Sequence, residues 1–269
     1  MPAHPHPAIV VAAWNRPQSL QRLLDSLAKG HYQSAATLHV SIDYHHRKDV
    51  VEVAEAFHWA HGEKVIECHP ENLGLRKHIL HCGGLTKTYG AIILLEDDLL
   101  AAPFMYDYAC ESLAFFANSE SIAGISLYHY QVAESCHQPF DIWEDGSDNY
   151  FLQLPSSWGA VFSAQHWDGF IEWMTENHSR LPKLPQYIQT WSKQSWKKLY
   201  AAYLIGSNKY FSFPKHALTT NTEDFGVHAN TAGLFQVPLM MGKKDWKMTL
   251  PAATELRYDA WFCLLYTSP

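Results

Sequence analysis

The sequence predicts a doubly wound α/β fold, a mostly parallel sheet with helices on both faces. Three observations predict it. Short apolar runs alternate with segments whose leucines and valines recur at helical spacing, giving four strand–helix units over residues 8–118. Asn15, Arg16, Asp43 and Glu96–Asp98 all fall at carboxyl ends of the predicted strands, the edge where ligands bind in open α/β sheets. The composition, 47% hydrophobic over 269 residues, supplies a sizeable core.

Ala8–Ala13 is apolar throughout, as a parallel strand covered on both faces must be. Asn15-Arg16-Pro17 breaks it. Pro17 suits the first turn of a helix on which Leu20, Leu23, Leu24 and Leu27 share a face, and Gly30 closes that helix. Thr37–Ile42 is the second strand and ends at Asp43. Asp49–His58 is the second helix, with Val50, Val53, Ala54 and Phe57 on one side. Lys64–Cys68 is a short third strand, Leu75–Leu85 the third helix, Ala91–Leu95 the fourth strand and Pro103–Phe116 an aromatic-rich helix.

The second half is less regular. Ile122–Leu127 and Tyr210–Pro214 read as strands, and Trp167–Asn177 and Trp191–Ile205 as helices. Tyr128–Tyr150 is polar and aromatic, with Asp141, Glu144, Asp145 and Asp148. Pro155-Ser-Ser-Trp-Gly159 is a small-residue loop presenting Trp158. No repeat, low-complexity stretch or linker divides the chain. The expectation is an N-terminal tail (1–7), one domain over 8–262 with halves at about 8–118 and 119–262, and a non-native or truncated end at 263–269, where no pattern continues.

Net charge is −7 with no Lys/Arg-rich run, so there is no electrostatic case for nucleic acid as a partner. The longest apolar stretches are far too short to span a bilayer. The N-terminus lacks the basic start and apolar core of a signal peptide. The expectation is a cytoplasmic protein without a transmembrane segment; peripheral membrane association stays open. The five cysteines are scattered and form no C-x-x-C pair. The 17 histidines include no H-E-x-x-H, and Cys68-His69, His81-Cys82 and Cys136-His137 lack metal-ligand spacing, so they read as surface or packing residues.

The most informative run is Leu95–Glu96–Asp97–Asp98–Leu99. Three adjacent carboxylates after a buried strand repel one another unless water reaches them or a cation sits there. An oxygen-rich site at a strand end suits Mg²⁺ or Mn²⁺ carrying a phosphorylated ligand; a solvated acidic turn is the plain alternative.

In order and spacing, several segments resemble the GT-A nucleotide-sugar glycosyltransferases, in particular the α-mannoside β-1,2-N-acetylglucosaminyltransferase family and bacterial family-2-like relatives. These are Ile9–Pro17 with its Asn-Arg-Pro turn, Ser41-Ile-Asp43, the basic Leu75-Arg-Lys-His78, Glu96-Asp97-Asp98-Leu99 as a version of the D-x-D motif, Pro155–Gly159, and Phe225-Gly-Val-His228. The resemblance covers about Ile9 to about Pro238. It implies a GT-A fold, with the nucleotide-binding half first and the acceptor side second. It also implies a metal-dependent, inverting transferase that moves a sugar, from a UDP-sugar by preference, to a glycan, lipid-linked or other hydroxyl acceptor.

By the same resemblance Asp98 is the metal ligand. Glu96 and Asp97 hold ribose or sugar hydroxyls by charge-assisted hydrogen bonds. Asn15, Arg16, Asp43, Arg76 and His78 bind the nucleotide, Trp158 stacks on the sugar, and His228 is a second metal ligand or a phosphate donor. Five of these have a structural alternative: a surface salt bridge for Arg16, a turn cap for Asp43, an exposed helical histidine for His78, a solvated loop histidine for His228, core packing for Trp158. The family's general base lies in a segment matching Trp191–Trp196, which here has no carboxylate. Asp224, beside Glu223, takes that role, with Asp168 as an outsider. Two other classes compete. One is a nucleotide-sugar binding protein that has lost its base. The other is a metal-dependent nucleotidyltransferase, which should show a Gly-rich loop where this chain has Trp14-Asn-Arg-Pro.

Overall fold

A computed structural model describes residues 6–46, 48–177, 181–222 and 233–265. Its first half follows the alternation read from the sequence. Strands β1 (Ala8–Ala13), β2 (Leu38–Ile42), β3 (Lys64–Cys68) and β4 (Ala91–Glu96) alternate with α1 (Pro17–Ala28), α2 (Asp49–Ala56), α3 (Gly74–Gly84) and the single turn α4 (Thr86–Tyr89). β1 pairs in parallel with both β2 and β4, and β2 with β3. All of β1 is buried because helices cover both of its faces. Leu20, Leu23, Leu24 and Leu27 of α1 are almost fully buried, each contributing about 2 kcal/mol of apolar transfer free energy.

The second half continues the same sheet with short elements. After β5 (Leu99–Ala101) come α5 (Met105–Phe115), β6 (Ile122–Ser126), β7 (Asn149–Leu152), β8 (Ala160–Ser163), α6 (Ala164–Asn177) and α7 (Gln186–Gln189). Then follow α8 (Trp196–Gly206), β9 (Tyr210–Pro214), β10 (Thr219–Asn221) and β11 (Arg257–Tyr258). Among the described residues the strands form a nine-stranded sheet in the order β11-β7-β9-β6-β8-β4-β1-β2-β3, and β5 pairs with β10 beside it. β8 is antiparallel to both neighbours, β4 and β6, β7 is antiparallel to β9, and β5 is antiparallel to β10; the remaining pairs are parallel. No helix among the described residues is long and apolar enough to cross a membrane.

The structure departs from the sequence reading in two ways. The predicted helix Trp191–Ile205 begins only at Trp196, because Ser195 caps it by accepting the Lys198 amide hydrogen at 3.3 Å. The residues before it form a separate turn, in which the Ser192 hydroxyl accepts from the Gln194 amide. Strands β5, β7, β8, β10 and β11 have two to four residues each, too few to show a period of two, and they form through partners distant in the chain.

Candidate active site

The acidic triplet sits where β4 ends, beside the turn that follows β1. Pro17 at the first turn of α1 starts the helix without a side-chain cap from Arg16, which leaves that guanidinium free to reach across. It donates to Asp98 at 2.5 Å and to Asp97, forming a fork over the two carboxylates. The Trp14 amide donates to the other oxygen of Asp97 at 3.3 Å. Burial works against the charge of Arg16, but Asp97 and Asp98 outweigh it and hold the guanidinium above its ordinary pKa. Burial raises the Asp97 carboxyl to about 6 despite Arg16. Glu96 is pushed well above the usual carboxylate range by loss of hydration and then by Asp98. One arginine among three carboxylates leaves an excess of negative charge.

The strand after the triplet is clasped by β10. Asn221 pairs with Leu99, and the Thr222 amide and hydroxyl both donate to the Asp98 carbonyl, at 2.8 and 3.0 Å. The Asn221 side-chain oxygen is buried with no partner, one residue along from this clasp. The three carboxylates are hard oxygen donors of the kind Mg²⁺ and Mn²⁺ prefer, but with Arg16 bound to two of them they do not bring three ligand atoms within metal-binding reach of one another in this structure.

Other predicted residues are placed as follows. Asn15 is half-buried in the turn between Trp14 and Arg16. Asp43, 3% exposed, accepts from the amides of Tyr44, Leu73 and Gly74 at 2.8–3.0 Å, so its carboxylate ties the end of β2 to the start of α3. His78 is buried in α3 with Nε2 3.0 Å from the Ser41 hydroxyl, and burial lowers its pKa to about 4. Arg76 donates to the Ser195 carbonyl at 3.4 Å, while its buried Nε lacks a partner. Asp168 is exposed on α6, which starts at the far end of β4, where Ser163 pairs with Ala91. Glu223, Asp224 and His228 lie outside the described residues.

A wall absent from the sequence reading surrounds Trp158. Its ring lies 4.6 Å from Tyr128, 5.2 Å from Phe235 and 5.9 Å from Tyr130. Gly159 follows at φ +96°, where a Cβ would meet the Thr219 hydroxyl at 2.7 Å. The Lys197 ammonium sits over Trp158 at 5.2 Å and Trp191 at 4.8 Å, donates to Glu134 at 2.5 Å, and is near enough to Glu96 to favour its ionised form. Lys197 lies directly after the stretch matched to the family's base, Trp191–Trp196, which holds no carboxylate. The structure puts an ammonium there, and brings Glu134 to it from 63 residues away.

The fold is similar to that of S. aureus TarS. Residues 1–349 of that protein in complex with UDP-GlcNAc give a TM-score of 0.50 at 14% identity, over 84% of this chain and 60% of that one. This is a GT-A-like fold. A second TarS 1–349 structure matches at the same TM-score of 0.50 and 14% identity, over 80% of this chain and 60% of that one. The mannosyltransferase PcManGT from Pyrobaculum calidifontis, in complex with GDP-Man and Mn²⁺, gives 0.44 at 14% identity, over 67% and 48%. The chain thus spans 48–60% of the length of these structures. No protein-family model and no curated protein matches it.

Proposed function

We propose that the chain is a metal-dependent, inverting glycosyltransferase that uses a nucleotide-diphosphate sugar, with a UDP-sugar favoured. The observation that carries this reading is the carboxylate triplet at the end of β4, facing Arg16 in a GT-A-like fold. TarS 1–349, which matches over 84% of this chain, is in complex with UDP-GlcNAc, which is why the UDP-sugar is preferred.

In this reading Asp98 holds the divalent cation, whose charge would offset that developing on the departing diphosphate. Asp97 and Glu96 accept from ribose or sugar hydroxyls. Arg16, which here holds Asp97 and Asp98, would supply its guanidinium to the diphosphate. Arg76 adds a second positive charge for the nucleotide. Asp43 and His78 act one step back, by fixing the start and pitch of α3. Trp158 forms the apolar floor under the sugar. The acceptor hydroxyl, from a glycan or lipid-linked sugar, attacks the anomeric carbon as the carbon–phosphate oxygen bond breaks, and its proton passes to Asp224 or Glu223.

Titration calorimetry of UDP and UDP-GlcNAc, with and without Mn²⁺, tests this on wild type and Asp98→Asn. The expected outcome is binding that needs Mn²⁺ and weakens at least about tenfold in Asp98→Asn. Equal binding by both proteins, or none by either, would overturn the site. Tight metal-dependent binding without transfer to any sugar acceptor would favour the second reading, a binding protein, which the carboxylate-free Trp191–Trp196 segment supports.

A further inference from the structure

The interface between α3 and the sheet is polar where such an interface is ordinarily apolar. Toward α3, β2 presents His39 and Ser41, and β3 presents Glu67, which pairs with Ser41 in register. The helix answers with His78 and His81, and His69 follows β3 directly. His81 Nε2 lies 2.7 Å and His39 Nε2 3.2 Å from one oxygen of Glu67. The Ser41 hydroxyl lies 3.1 Å from His69 Nε2 and 3.0 Å from His78 Nε2. The His69 and His81 rings meet edge to face at 4.7 Å.

We propose that Glu67, His69 and His81 form a binding site for a borderline transition-metal ion of the Zn²⁺ class, separate from the carboxylate triplet. One ligand atom from each of the three lies within 4.8 Å of the others. Tetrahedral coordination at about 2.1 Å separates ligand atoms by about 3.4 Å, so small side-chain rotations close the site. Two imidazoles and one carboxylate select Zn²⁺, Co²⁺ or Ni²⁺ over Mg²⁺ and Mn²⁺, which favour oxygen ligands. Three protein ligands leave one position for water.

The surroundings suit this use. His39 is buried and holds the Glu67 carboxylate from behind, as partners of metal ligands do. Glu67 and His81 keep 33% and 37% of their side chains exposed, which gives an ion a way in. The bound ion would pin β3 to α3, the helix whose start Asp43 fixes at the candidate active site. A hydrogen-bonded His–Glu cluster without metal affinity is the competing account.

The test uses the full chain, freed of metal with a chelator and then titrated with Co²⁺ in excess Mg²⁺, which occupies oxygen sites. The expected result is one Co²⁺ per chain with visible d–d absorption, displaced by Zn²⁺ and retained in Asp98→Asn. His69→Ala and His81→Ala should each weaken it at least tenfold, and His39→Ala about tenfold. Circular dichroism shows whether each variant is folded. If an alanine variant is not, His69→Gln or His81→Gln replaces it, with the same loss expected. Absence of Co²⁺ absorption in the wild type, or affinity unchanged in folded variants at both His69 and His81, overturns the proposal.

Discussion

At Lys197 a nearly buried ammonium meets Glu134 at 2.5 Å, with side-chain exposures of 10% and 11%, inside a ring of Trp158, Trp191 and Tyr130. Charges so withdrawn from water are costly to leave alone. Lys197→Met should therefore destabilise the fold by about 3 kcal/mol, because Glu134 is left uncompensated. Adding Glu134→Gln to Lys197→Met should recover part of that loss. Urea unfolding of the single and double variants measures both quantities. A loss below about 1 kcal/mol in Lys197→Met would show a solvent-screened pair. The contrast with Arg16 explains what could be read from residues alone. Arg16, Asp97 and Asp98 each stand at the end of a strand or in the turn after one, so their convergence follows from parallel pairing. Lys197 and Glu134 meet only through packing of an irregular loop on α8, and neither has a local pattern that points to the other. Glu67, His69 and His81 are likewise spread over a strand, the turn after it and a helix, so no local spacing marks them as a ligand set.

At the scale of elements, α3 packs so closely on α6 that only glycine fits between them. A Cβ on Gly83 would lie 1.9 Å from the ring of Trp167, which is 1% exposed. Alanine gains about 1 kcal/mol over glycine within a helix, but the displaced indole has nowhere to go. Gly83→Ala should thus be destabilising by about 2 kcal/mol net, read as a lowered urea midpoint at unchanged slope. A gain in stability would mean that α6 yields freely. The same closeness accounts for which elements were legible. β1 to β4 and α1 to α3 carry long apolar or amphipathic patterns, and the sequence placed them within one or two residues. β7, β8 and β11 have four residues or fewer and owe their existence to neighbours, so their signal is tertiary.

For the molecule as a whole, acid is the condition that discriminates. His129 is half-buried and His166 buried, and loss of hydration brings each imidazole down to about 4 from 6.5. His166 Nδ1 accepts the Ser163 amide hydrogen, and the buried His129 Nδ1 has no partner, so neither gains a bond on protonation. Below pH 6.5 the unfolded chain binds protons that the folded chain refuses. Their contribution is complete above 6.5 and falls toward pH 4, by up to about 3 kcal/mol for each group, while protonation of the raised Asp97 and Glu96 carboxyls works in the opposite sense. Urea midpoints between pH 7 and 4.5 should show this decline, and His166→Gln should flatten it. An identical slope in that variant would remove His166 from the account.

The placement of β8 also sets a schedule for synthesis. β1 to β4 can pair with one another as soon as residue 96 has emerged, since every partner is already made. The other edge of β4, apolar from Ala91 to Leu95, is covered only when Ala160–Ser163 arrives. At ribosomal speed that takes roughly 3 to 13 seconds, during which a nascent half-sheet offers a sticky, open strand to any neighbouring chain. Chaperone demand should therefore peak midway through translation rather than at release.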